Sequence, residues 1–224
     1  MSPQSLTNRL MQSGVLETPA IINAFNKIDR ADFVRADLMS EAYADYPLPI
    51  GSGQTISQPT TVAFMLELLG PKQGDKILDV GSGSGWTTSL LGYIVAQKKI
   101  RNSKHEIRNE LKTQNSKLET GYVYGVEKIP ALVEFGQENL YKYPDLPATI
   151  KPAGKTYGLP AQAPFAKILV SASATKLPRE LIDQLQVGGT LVIPIENSIY
   201  KITKTAPDDF GSEEFPGFVF VPLV

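Results

Sequence analysis

A short apolar strand that runs directly into a glycine turn, and from there into a helix, constrains this chain more than any other feature. Residues 76–80 read KILDV, Gly81-Ser82-Gly83-Ser84-Gly85 follows without a spacer, and Trp86 to Val95 resumes a helical apolar pattern. Strand, glycine turn and helix make the first unit of a doubly wound sheet. Further short apolar strands at 122–126, 148–151, 167–170 and 190–195 alternate with candidate helices at 130–141 and 178–185. That alternation predicts an α/β fold with a mostly parallel sheet and helices on both faces.

The flanks read differently. Ahead of the strand, Leu6, Leu10 and Met11, then Ile21, Ile22, Phe25 and Ile28, fall at helical intervals around Gly14 and Pro19, which predicts a helical cap of two short helices. Residues 43–59 hold too many prolines and glycines for a regular element and read as a shaped loop. A helix follows from Pro59 to the stop signal Gly70-Pro71. At the other end, residues 199–205 and 218–224 are β-rich runs around a polar stretch at 207–214, so a terminal antiparallel pair is expected with its turn there. One domain, 1–224, accommodates all of this as a cap and loop (1–60), a core (61–195) and a β pair (196–224). Residues 97–120 interrupt the core with seven Lys/Arg and three Glu. Ile100, Ile107, Leu111 and Leu118 share one helical stripe there, which suits either a solvated excursion or a helix that docks a partner or contacts RNA.

Composition removes several chemistries. With no cysteine there is no disulfide, zinc-thiolate site or thiol nucleophile, and with His105 as the one histidine, a Ser-His-Asp or His-rich metal site would have to be built around it. The formal charge of −1 argues against a generally basic nucleic-acid binder. No stretch approaches the ~18 apolar residues of a membrane span, and the polar opening does not read as a signal peptide. A chain working in the cytoplasm, without membrane or nucleic acid, is the expectation.

The spacing Gly81-x-Gly83-x-Gly85 is not the Gly-x-Gly-x-x-Gly of dinucleotide folds, so a pyrophosphate on the helix N-terminus is not the obvious ligand. Asp79, beside the turn, would repel a phosphate but could hold an ammonium group; alternatively it accepts backbone N–H groups of the loop. Glu127 ends the next strand, where an acid can accept both hydroxyls of an adenosine ribose. It lies beyond the usual spacing of about 20 residues from the turn, and leaving out the insertion at 97–120 restores that spacing. A glycine turn with two strand-end acids describes a site for an adenosine carrying a cationic amino acid, S-adenosyl-L-methionine.

The segments DYPLPIGSGQTISQP (45–59), LDVGSGSGW (78–86), VEKIPAL (126–132), APFAKILVSASATKLPRELIDQLQVGGTLVIPI (163–195) and FVFVPLV (218–224), with AFNKIDRADFV (24–34) in the cap, resemble the protein-L-isoaspartate O-methyltransferase family in order along nearly the whole chain. The resemblance implies a Rossmann-like class I methyltransferase that moves a methyl group from S-adenosyl-L-methionine to the carboxylate of L-isoaspartyl residues in damaged proteins, as a monomer. It implies Ser57 as the catalytic residue, holding the substrate carboxylate; capping the next helix is the other role the residue itself allows. By the same resemblance Thr55, Ile56, Ser57 and Gln58, then Asp79, Val80, Gly81, Ser82, Gly83 and Gly85, then Glu127, Ala153 and Gly154 surround the cofactor. Pro49, Ile50, Gly51, Val221, Pro222 and Leu223 lie near the substrate peptide. No metal is implied.

The chain departs from the family pattern at Ala166, where the family prefers an aspartate before its fourth strand, and more informatively after its third. Where the family carries a Gly-Asp-Gly turn whose Asp binds the adenine amino group, this chain has Pro152-Ala153-Gly154. Losing one such hydrogen bond costs about 0.5–1.5 kcal/mol, or roughly two- to twelvefold in cofactor affinity. Two other readings stay open: a carboxyl methyltransferase of the same fold with another peptide substrate, and a non-catalytic cofactor-binding module that docks through 97–120.

Overall fold

The computed structural model describes residues 2–96 and 121–223. The excursion expected at 97–120, with its apolar stripe and His105, lies outside the described residues. The cap opens with α1 (Pro3–Gln12), started by a reciprocal Ser2/Ser5 capping box, and α2 (Pro19–Lys27), with Pro19 at its first turn. Two short 3-10 segments, Arg30–Phe33 and Ala36–Glu41, carry the chain to a small hairpin of β1 (Leu48–Gly51) and β2 (Gln54–Ile56). Then come α3 (Pro59–Leu69), β3 (Lys76–Val80), α4 (Trp86–Val95), β4 (Tyr122–Glu127), α5 (Pro130–Leu140) and β5 (Ala148–Pro152). The chain finishes with β6 (Phe165–Val170), α6 (Arg179–Asp183), β7 (Leu185–Ile195), β8 (Ser198–Ala206) and β9 (Asp209–Pro216).

Seven strands form one sheet in the order β5-β4-β3-β6-β7-β8-β9, parallel from β5 to β7 and antiparallel across β8 and β9. Alternation along each central strand feeds two separate apolar layers. Ile77, Leu169 and Val192 point to the layer shared with the cap, α3 and α4, whereas Leu78, Ile168, Val170, Leu191 and Ile193 point to the layer under α6. Both faces are covered, so these strands read as continuous apolar runs.

Three expectations need correction. The loop at 43–59 contains the β1–β2 hairpin, because Ser52 and Gly53 both take positive φ (52° and 72°) and so close a tight turn in the twist that hairpins favour. The second helix of the late core is shorter than 178–185, and β7 begins at Leu185, carrying Gly188 and Gly189 inside a strand. In the tail, the polar stretch at 207–214 is mostly not the turn but β9 itself, paired from Asp209 to Pro216. As the edge strand it is wet on both faces and carries no apolar alternation to be read. Residues 218–223 instead leave the sheet. Phe64 of α3 stacks on Phe218 and meets Phe215 edge-on, and the backbone of Ser173 pairs with Val221 and Leu223, both at 2.8 Å.

Candidate active site

The strand order reverses between β3 and β6: β3 continues to β4 and β5 on one side, while β6 and β7 stand on the other. Open α/β sheets bind ligands at the carboxyl ends of their strands beside such a switch, and a cavity of about 320 Å³ lies there. Its floor is Val80, Gly81 and Gly83 from the glycine turn, with Ser171 and Ala172 following β6. Val126, Glu127 and Lys128 close one side, and residues 153–158, following β5, another. Ile50, Gln54 and Thr55 of the hairpin and Val221, Pro222 and Leu223 of the tail form the outer wall. Elements far apart in sequence therefore meet over one crevice.

Asp79 lies beneath the turn, fully buried. One carboxylate oxygen, Oδ2, accepts the hydroxyls of Thr87 (2.8 Å) and Thr88 (2.6 Å), while Oδ1 has no hydrogen-bond partner among the described residues. Burial pushes its pKa up to about 6, against the hydroxyls of Thr88, Thr87 and Ser171 that favour the ionised form. Of the two roles open to it, accepting loop N–H groups is not what the structure shows: side-chain hydroxyls surround it, those of Thr87 and Thr88 on α4 foremost. A buried carboxylate with a free oxygen beside the turn is a place for a positive charge.

Glu127 faces the cavity and shapes it. Its Oε2 accepts the N–H of Gly83 at 3.0 Å and its Oε1 that of Ile129 at 2.9 Å, leaving each oxygen a lone pair for further donors. The turn can come this close because Gly85 takes a φ of 85° and faces Gly136 of α5; a Cβ on Gly85 would stand 2.9 Å from the Gly136 carbonyl oxygen. Ala153 and Gly154 reach the cavity wall, and the N–H of Ala153 donates to the Glu127 carbonyl at 2.7 Å.

Ser57 stands on a narrower cleft of about 30 Å³, together with Thr55, Ile56, Ser82, Trp86 and Thr87. Thr55, Gly81, Gly83 and Ser171 line both spaces, so the cleft opens onto the same turn. Gln58, not Ser57, holds the N-cap position of α3, and the first-turn N–H of Thr60 is taken by Asp45 Oδ1 at 2.9 Å, which removes helix capping as the reason for a serine at 57. Gln58 is set apart from both spaces, at the N-cap position of α3, with its side chain hydrogen-bonded to Asp45. Pro49 and Gly51 flank Ile50 in β1 without lining the cavity, and Asp79 and Gly85 act from behind the wall.

Lys128, Lys155, Thr156, Tyr157 and Glu180 also line this wall and are not among the site residues expected above. The only available signal is position, since each follows or neighbours the carboxyl end of a parallel strand. Gln184, buried under the loop, pins it by donating to the Tyr157 carbonyl (2.8 Å) and accepting from the Leu159 N–H (2.7 Å).

Crevice size, a buried free carboxylate oxygen and a strand-end glutamate together fit a nucleoside that carries an ammonium group. Comparison with known proteins points the same way. The model of the protein-L-isoaspartate(D-aspartate) O-methyltransferase (PCMT) family matches residues 1–224. Protein-L-isoaspartate O-methyltransferase of Ignicoccus hospitalis is 34% identical over 99% of this chain and 96% of its own length. That of Aeropyrum pernix is 37% identical over 98% of this chain and 78% of its own. Among solved structures, a Plasmodium falciparum chain assigned to the same activity and crystallised with S-adenosyl-L-homocysteine superimposes with a TM-score of 0.80 at 27% identity, covering 100% of this chain and 99% of that one. With a full-length family match and relatives above 30% identity, this chain belongs to the protein-L-isoaspartate(D-aspartate) O-methyltransferase family.

Proposed function

We propose that this chain is a protein repair enzyme that methylates the α-carboxylate of L-isoaspartyl residues, using S-adenosyl-L-methionine. The observation that carries the proposal is the meeting of the Ser57 cleft and the Glu127 cavity over one glycine turn, which gives a carboxylate-holding hydroxyl and a nucleoside pocket a shared border. When bound, S-adenosyl-L-methionine supplies a methyl group on a positively charged sulfur, and the carboxylate oxygen takes it while the electron pair of the breaking C–S bond stays on a neutral thioether.

A carboxylate is already ionised at pH 7, with an unperturbed pKa of ~4, so the residues here need not remove a proton. That suits a site without a cysteine or a histidine among its residues. What they must do is orient. Ser57 donates to one carboxylate oxygen and turns the other toward the methyl group, where a near-attack distance of about 3–3.5 Å does most of the work. Glu127 receives the ribose hydroxyls, and the free oxygen of Asp79 offsets the ammonium charge. Ile50, Val221, Pro222 and Leu223 press on the substrate backbone. Glu127 and Asp79 thus fix the nucleoside, and Ser57 the acceptor.

The resulting ester cyclises spontaneously to a succinimide, which reopens partly to normal aspartate. The lack of cysteine fits a reducing cytoplasm, and family membership supports a single methyltransferase domain working as a monomer on isoaspartyl-containing peptides and proteins. Incubation of an isoaspartyl peptide with methyl-labelled cofactor tests the reading. Label is expected in a base-labile ester on the α-carboxylate, followed by succinimide; label retained in a base-stable position would contradict it.

A further inference from the structure

Arg30 is 1% exposed and carries its charge into the cap without forming an ion pair among the described residues. Its guanidinium donates to four backbone carbonyls: Nη1 to Ala42 (2.7 Å) and Ala44 (3.3 Å), Nη2 to Tyr46 (3.2 Å) and Ser57 (3.1 Å). Its other face lies on the ring of Trp86, 5.3 Å from the centroid. Trp86 is the first residue of α4, directly after the glycine turn, and is itself held edge-on by Phe25 of α2. Arg30 lies within the AFNKIDRADFV segment (24–34), where its flanking charges, Asp29 and Asp32, give no sign that the guanidinium is buried.

Burying an arginine is costly, and an apolar side chain of similar volume would fill the same space. What an apolar side chain cannot do is satisfy irregular backbone, and a guanidinium alone among side chains offers five donors in one plane. Three of the four carbonyls belong to residues 42–46, which lead into the β1–β2 hairpin, and the fourth is that of Ser57, which leaves it. One rigid group therefore ties both ends of the hairpin to the residue that opens α4.

We infer that Arg30 is a positioning residue for methyl transfer: through the Ser57 carbonyl and the Trp86 ring it fixes the Ser57 hydroxyl relative to the glycine turn. The inference rests on the role given above to Ser57. Lysine offers three donors from a single nitrogen in place of the planar fork that reaches four carbonyls, so Arg30→Lys keeps the charge and loosens the clamp. Misplacement by about 1 Å costs on the order of a hundredfold in rate.

The test is a double-mutant cycle of Arg30→Lys and Ser57→Ala, with kcat at saturating peptide and cofactor expressed per site able to bind S-adenosyl-L-homocysteine, so that unfolded protein drops out. Arg30→Lys is expected to lower kcat about 10- to 100-fold while the dissociation constant for S-adenosyl-L-homocysteine moves less than about threefold. In the Ser57→Ala background the same change is expected to cost less than about twofold, because the hydroxyl it positions is gone. Wild-type kcat in Arg30→Lys overturns the inference, as does a loss that multiplies fully with that of Ser57→Ala. If Ser57→Ala alone is as fast as wild type, the role of Ser57 falls and the positioning role falls with it, a result separable from the other two.

Discussion

The carboxylate of Glu127 bridges the tip of its own strand to the neighbouring one, accepting the Gly83 N–H at 3.0 Å while its other oxygen holds the Ile129 N–H at 2.9 Å. The side chain that faces the nucleoside cavity is thus also the one that sets the shape of the glycine turn. Glu127→Ala removes two charge-assisted hydrogen bonds and leaves two N–H groups for water to satisfy. Affinity for S-adenosyl-L-homocysteine, measured by titration calorimetry, is expected to fall at least tenfold. Glu127→Gln keeps one acceptor oxygen and should fall between the two. Equal affinity in wild type and Glu127→Ala would remove the residue from the cofactor site.

Asp79 makes both stability and binding depend on pH, with opposite signs. Its folded pKa of about 6 lies above the 3.8 of an unfolded chain, so the folded protein holds this proton longer than the unfolded chain does. The stability it contributes is full below 3.8 and is lost as pH rises from there through 6, a difference on the order of 3 kcal/mol that Asp79→Asn should abolish in urea titrations at one pH below 3.8 and one above 6. An ammonium nearby favours the carboxylate, so S-adenosyl-L-homocysteine should bind more tightly as pH rises toward 6 and level off above it. Methylthioadenosine, which lacks the amino acid, should show no such slope. A shared slope for the two ligands would count against Asp79 as partner of the ammonium.

Much of this could be read from residue order. The strand and helix bounds at 76–80 and 86–95 match the structure because each is an uninterrupted apolar pattern between strong breakers. Asp79, Glu127 and the glycine turn were legible for the same reason, being fixed to strand ends. The edge strand β9 was not, since a strand wet on both faces has no alternation, and neither was Arg30, since its partners are backbone carbonyls that no sequence pattern displays. The residues at 155–157 reach the cavity only through loop shape, which Gln184 holds from the far end of α6.

Ala153 lines the cavity wall at the position where the resemblance implies an aspartate. Ala153→Asp restores one acceptor and is expected to tighten cofactor binding roughly two- to twelvefold, with kcat unchanged. Weaker binding in the variant would mean that neighbouring residues at 154–157 have already taken over the contact.

Gly136 is a packing position with a functional consequence. A Cβ there would stand 2.8 Å from the Gly83 carbonyl oxygen and 3.1 Å from Ile150 Cδ1, so helix α5 would have to lift off the glycine turn. Gly136→Ala is expected to cost about 1–3 kcal/mol in denaturant unfolding and to weaken S-adenosyl-L-homocysteine binding. Gly211→Ala on the edge strand, with nothing within 4 Å, should leave both within about 0.5 kcal/mol. Unchanged binding in Gly136→Ala would show that the turn tolerates displacement.

The central claim is that the site selects an isoaspartyl carboxylate and aligns it through Ser57. Its most direct test is methyl transfer from labelled S-adenosyl-L-methionine to an isoaspartyl peptide and to its normal aspartyl twin, by wild type and Ser57→Ala, with cofactor raised to saturation. Labelling confined to the isoaspartyl peptide, and slowed at least tenfold in Ser57→Ala, is the expected result. Equal labelling of the twins, or none of either while S-adenosyl-L-homocysteine still binds, would contradict it.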